Sequence, residues 1–202
     1  MKKFILVCCF LCFSLSCMFA QKTILLFGYG ICDETSYSES GDLSSYLSIF
    51  GSGLNLKFFH GELLGFFTSL NLGVVDYSWD VVNHYGTTIP IENADMKFLG
   101  DVITGIAFYP ELGKVVGIGL LLGVGPHLDL MIIKFKDKVS FSHFSIGAGI
   151  NADVLIKLGK IYLGVGIALS RDFLGFRNAY GQECKFNGVF SINLHIDFGF
   201  SF

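Results

Sequence analysis

The chain has 202 residues and carries 14 Lys and Arg against 17 Asp and Glu, a formal net charge of −3. A mildly acidic chain without a basic cluster has no electrostatic footprint for nucleic acid. Its 22 Phe and 25 Gly against only 3 Pro, with a positive mean hydropathy, are unlike an ordinary soluble domain.

Met1-Lys2-Lys3 is basic, and Phe4 to Phe19 is an uncharged apolar run that stops near Ala20-Gln21. This is the pattern of a secretory signal peptide, so residues 1–20 are read as a leader and 21–202 as one domain. Met18 stands where a small residue is expected. Ser14-Leu15-Ser16-Cys17 therefore offers a rival reading, a loose lipoprotein cleavage site with Cys17 acylated. Four of the 6 cysteines lie in the leader, leaving Cys32 and Cys184. Two are too few for a disulfide scaffold, and no CxxC or Cys/His spacing points to zinc.

Alternation runs through the rest of the chain, and side chains alternate across a strand. The first strand, about Lys22 to Cys32, sets Leu25, Phe27, Tyr29 and Ile31 against Gly28 and Gly30. The second, about Ser45 to Phe59, sets Phe50, Leu54, Leu56 and Phe58 against Gly51, Gly53, Asn55 and Lys57. The third, about Leu63 to Tyr77, sets Leu64, Phe66, Leu70, Leu72 and Val74 against Gly65, Ser69, Asn71 and Gly73. The fourth, about Met96 to Tyr109, is less regular, with Lys97, Asp101 and Gly105 opposite Phe98, Val102, Ile106 and Phe108.

The fifth sets Val116, Ile118, Leu120, Leu122 and Val124 against mostly glycine. The sixth places His143, Ser145, Asn151 and Asp153 opposite Phe144, Ile146, Ile150 and Val154. The seventh opposes Ile161, Leu163, Val165, Ile167 and Leu169 to Tyr162 and small residues. The eighth, Phe186 to Phe202, puts Phe190, Ile192, Leu194, Ile196, Phe198, Phe200 and Phe202 on one parity and Asn193, His195 and Asp197 on the other. A greasy stripe of that length suits a transmembrane strand, which needs about 9–11 residues. The rival helical span, Val115 to Ile133, is set aside because its glycines all fall at odd positions, which is strand spacing.

The pattern predicts an all-β fold, an eight-stranded antiparallel transmembrane up-and-down β-barrel. Tight turns are expected near Gly61, Gly113 and Gly159, and longer loops at 33–43, 78–95, 133–139 and 174–184. Short turns on one side and long loops on the other are the outer-membrane arrangement, with the short side periplasmic. A lipocalin-like soluble barrel would reverse the faces. The leader, the closing Phe and the glycine-rich second face favour the lipid-out sense, because a soluble exterior would be charged.

Few residues suggest chemistry. The inward polar set is Lys57, Asp101, His143, Asp153, His195 and Asp197, and charges inside a narrow barrel need partners. Lys57 is therefore expected to pair with one of the acids. His127 and Asp129 share a face, but two candidate ligands do not make a metal site. Neither a metal nor a cofactor is indicated. Cys32 and Cys184 both fall at the outer ends of their expected strands, and because the first and eighth strands meet on closure the two thiols could come within disulfide range in an oxidising compartment. The Gly28-x-Gly30 and Gly117-x-Gly119 spacings lack the helix a phosphate loop requires.

The run Leu194-x-Ile196-x-Phe198-x-Phe200-x-Phe202 resembles the closing strand of bacterial outer-membrane barrels. The mature chain as a whole is similar to the small eight-stranded barrels grouped around OmpW, OmpX and the opacity proteins. That resemblance implies residence in the bacterial outer membrane, contact with the lipid bilayer, and recognition of the Phe202 strand by the outer-membrane assembly machinery. The cysteine-rich leader has a spirochaetal look. In the OmpW-like sense the barrel is a narrow conduit for small apolar molecules, with Ile24, Leu26, Leu63, Phe67, Leu99, Ile103, Leu121 and Leu155 lining a greasy lumen. In the OmpX-like sense the interior is packed and loop 78–95 binds a surface ligand. His143-Phe144-Ser145 resembles the His-x-Ser pair of the lipid A deacylases, but it points inward and has no acid at a suitable spacing. No catalytic residue is assigned, and the conduit is the favoured expectation.

Overall fold

The computed structural model describes residues 22–40, 43–81, 94–136, 140–179 and 182–202. The expected leader, with Cys17, and most of the expected loop 78–95 lie outside that set. The strands are β1 (Thr23–Ser40), β2 (Leu43–Gly61), β3 (Leu64–Val81), β4 (Met96–Phe108), β5 (Glu111–Leu112), β6 (Val116–Lys134), β7 (Ser140–Leu158), β8 (Ile161–Ala179) and β9 (Gln182–Ser201). All pairings are antiparallel. The two-residue β5 resumes β4 in the same register after Pro110 and pairs with Gly119 and Ile118 of β6. Eight long strands remain, and they close because β1 pairs with β9 while β4 pairs with β6. Closure removes the sheet edges, which a lipid-embedded sheet requires.

The alternation sorts the side chains as the period-two pattern demands. Tyr29, Leu54, Ile106, Val124, Ile150, Val165 and Ile196 are exposed on the outer wall, while Ile24, Leu26, Phe67, Ile103, Leu121 and Leu155 are buried inside. An apolar exterior wrapped around an interior that holds the buried charges inverts a soluble barrel and matches a hydrocarbon surround. At two of the tight turns glycine is needed for its backbone: Gly113 and Gly159 have φ of 97° and 67°, conformations that side-chain-bearing residues rarely adopt.

Several strands extend further than expected. β1 continues from Cys32 to Ser40, and β8 and β9 run into the stretch expected to be loop 174–184. The outer hairpins are therefore sheet over much of their length. Leu63, expected in the lumen, lies exposed at the short-turn end instead.

The lumen is filled. Nearest the short turns, Ile24, Leu26, Phe59, Phe67, Ile103, Ala107, Tyr109, Leu121, Leu155, Tyr162 and Ala168 form one apolar cluster. Glycines on one wall receive side chains from another: a Cβ on Gly123 would collide with the Phe67 ring, one on Gly149 with Ile103, and one on Gly119 with Tyr109. Toward the outer end, Cys32, Ile49, Val75, Leu99, Met131, Ile133 and Phe141 form a second cluster. Between and beside these two clusters runs a column of buried polar side chains.

Candidate functional site

The column begins at Lys57 on β2. Its ammonium donates to Asp153 of β7 and, at 3.0 Å, to Asp197 of β9, and it lies against Nε2 of His195. His195 Nε2 is also 2.6 Å from Asp153 Oδ1, and the Asn151 amide donates to Asp153 as well. Four of the six inward polar candidates are thus joined in one cluster, with Lys57 at its centre. Lys57 is only 2% exposed, so its pairing is obligatory: an unpaired buried ammonium is far costlier than a paired one.

The next layer contains Asp101, which accepts from the Asn71 amide at 2.9 Å, with Asn55 donating in turn to Asn71. His127 of β6 bridges strands, its Nδ1 2.7 Å from Asp172 Oδ1 and its Nε2 3.8 Å from Asp101 Oδ1. Ser145 donates its hydroxyl to the other oxygen of Asp172. Above that layer His143 Nε2 stands 2.6 Å from Asp129 Oδ2 and 3.1 Å from Glu34 Oε1. The buried guanidinium of Arg177 acts electrostatically on Glu34.

Three of these residues were invisible to the sequence reading. Glu34 sits in the stretch expected to be a loop after Cys32, Asp172 lies beyond the alternation of the seventh strand, and Arg177 falls within 174–184, expected to be a loop. His143 and Ser145 are fully buried and each is bonded to a different acid. The pairing of Cys32 with Cys184 is corrected. Cys32 is a free, buried thiol midway along β1. Its backbone faces Asn193 of β9, whereas Cys184 faces Arg177 of β8. The nine-residue offset along β9 amounts to roughly 30 Å at strand rise, far beyond the Cα separation a disulfide spans.

A separate network closes the short-turn end. The Glu111 carboxylate accepts from Lys22 and Lys157 and from the hydroxyls of Tyr109 at 2.6 Å and Tyr162 at 3.0 Å. Partial burial works to raise the pKa of Glu111. The donors outweigh it, with Lys157 and Lys22 foremost, and hold the carboxyl at about 2. The Tyr109 phenol is pushed up, first by burial and then by its bond to Glu111.

No family model and no curated protein matches this sequence. Solved structures do resemble it. Neisserial surface protein A (NspA) superposes with a TM-score of 0.58 at 12% identity, covering 89% of this chain and 97% of that one. Ail, the attachment invasion locus protein of Yersinia pestis, in complex with the heparin analogue sucrose octasulfate, gives 0.53 at 12% identity, covering 92% and 100%. At such identities the likeness is one of fold: the chain has the eight-stranded fold of the small bacterial outer-membrane β-barrels. The spirochaetal look of the leader gains no support from these structures.

Proposed function

We propose that the chain is a resident of the bacterial outer membrane, closed along its axis, that works through the strand ends and connections on its outer side. The observation that carries this reading is the filled interior. Phe59, Phe67, Leu121, Leu155 and Tyr162 are all 1% exposed or less, a burial that side chains lining an open conduit would not have. The packed alternative is therefore favoured over the conduit for small apolar molecules. In the packed reading the outer hairpins act as a rigid stand for loop 78–95, which binds the partner, because loops on a fixed scaffold are the usual place for recognition.

Planar-bilayer recording of the folded barrel tests the choice. Silence is expected, and steady unitary openings would reinstate the conduit.

The same proposal covers assembly. Phe202 is exposed, its ring meets Phe200 edge-on at 5.5 Å, and its amide donates to Thr23 O at 3.0 Å, beside the seam where β9 meets β1. This supports a role for the final strand as the segment read by the assembly machinery. Replacing Phe202 by Ser is expected to lower the amount of heat-modifiable barrel in the outer membrane while leaving synthesis unchanged.

A further inference from the structure

The buried charges of the interior do not balance. Among the described residues six carboxylates are buried there: Glu34, Asp101, Asp129, Asp153, Asp172 and Asp197. Facing them are two side chains with a permanent positive charge, Lys57 and Arg177, and the three imidazoles of His127, His143 and His195. Even with every imidazole protonated, the acids are in excess. Net charge in so dry a place must be met by a cation or by protons.

The shortfall is sharpest where β1, β6 and β7 converge. Glu34, Asp129 and His143 each offer a ligand atom, and the three atoms lie within 4.8 Å of one another with all three residues buried. One Nε2–H cannot be aimed at two acceptors, and the geometry shows it: Asp129 Oδ2 is satisfied, whereas Glu34 Oε1 and Asp129 Oδ1 are buried with no hydrogen-bond partner. A buried oxygen left without a donor costs about 1–3 kcal/mol.

We propose that Glu34, Asp129 and His143 bind a divalent transition-metal ion of the zinc or manganese class. Two carboxylates and one imidazole are a donor set for such ions, whose oxygen and nitrogen ligands stand at about 2.0–2.2 Å. Ligand atoms about 3.3 Å apart would suit that geometry, so the 2.6 and 3.1 Å separations to His143 Nε2 need only modest opening. The ion takes the place of the Nε2 proton, which leaves for bulk water, and Asp129 Oδ1 supplies a further donor. Arg177 and Asp172 act on Glu34 electrostatically. The residues lie at 34, 129 and 143, a spacing no sequence motif would reveal. The proposal is independent of whether the barrel conducts.

Because the site is enclosed, the ion is expected to enter during folding. The test is to refold the full chain in detergent with Zn²⁺ or Mn²⁺, exchange into metal-free buffer, and count bound metal in the heat-modifiable fraction. About one equivalent is expected for the parent chain and less than a tenth of that for Asp129→Asn and Glu34→Gln, with Asp197→Asn in the lower cluster retaining the metal. If the upper-cluster variants fail to fold, electron paramagnetic resonance of the Mn²⁺-loaded parent decides alone, since coupling to one imidazole nitrogen is expected. A folded parent without metal, equal retention in Asp129→Asn and Glu34→Gln, or bound Mn²⁺ without nitrogen coupling each overturns the assignment.

Discussion

Lys57 and His143 sit at the centres of two buried charge clusters, and they meet the same demand by different means. Lys57 brings a permanent charge on a flexible stem, and its three donors reach Asp153, Asp197 and His195 together. His143 presents one edge of a rigid ring to two carboxylates and bonds well to only one of them, Asp129. The lower cluster has its cation built in, although Asp197 Oδ1 is left without a donor. The upper one leaves Glu34 Oε1 and Asp129 Oδ1 without a donor, the deficit the proposed metal ion would meet. One barrel therefore holds a fixed lock, with its cation built in, and an adjustable one, short of a donor, their members Asp153 and His143 both on β7.

The strongest way to break this comparison is Lys57→Met. It leaves Asp153 and Asp197 facing each other without their cation, and the expected loss is about 3–5 kcal/mol. Urea unfolding in lipid vesicles, followed by heat-modifiable migration, measures it. His143→Gln should cost less, about 1–3 kcal/mol, since the carboxylates it leaves behind can share a proton of their own. Equal losses for the two variants would erase the distinction between fixed and adjustable.

The smallest effect is expected at the rim. Glu111 titrates at about 2, below its ordinary value of 4.5. Its contribution is complete above about pH 4.5 and disappears as the pH falls toward 2. The difference in unfolding midpoint between the parent and Glu111→Gln should accordingly shrink on acidification through that window. A difference that stayed constant to pH 2 would show that Glu111 is not held by Lys22 and Lys157.

The wall of the barrel was legible because lipid enforces one rule on one face: Leu194, Ile196 and Phe198 had to be apolar and their neighbours did not. Beyond the bilayer the rule lapses. Asp33 to Ser40 is polar at nearly every position because both faces can be polar there, so nothing marks it as strand, and Glu34 was lost with it. β8 defeats the reading in another way. Its inward residues are even-numbered through Asp172, then a register shift opposite Ile146 and Gly147 inserts one residue and turns Arg177 inward. A bulge of this kind flips every later side chain, and period-two counting cannot foresee it. The partners inside the barrel were illegible for a third reason: Glu34, Asp129 and His143 meet across three strands.

The seam between β1 and β9 has a consequence for how the molecule comes into being. Ile24 pairs with Ser201, nearly the whole described chain apart. Every other ladder joins strands that are neighbours along the chain, but this one must wait until β9, which follows all the other described strands, has been made. Until then β1 keeps a row of unsatisfied amides and carbonyls, a hazard for mispairing with other chains. Contacts so distant along the chain make folding slow, and the newborn polypeptide needs an escort for as long as that first edge stays open.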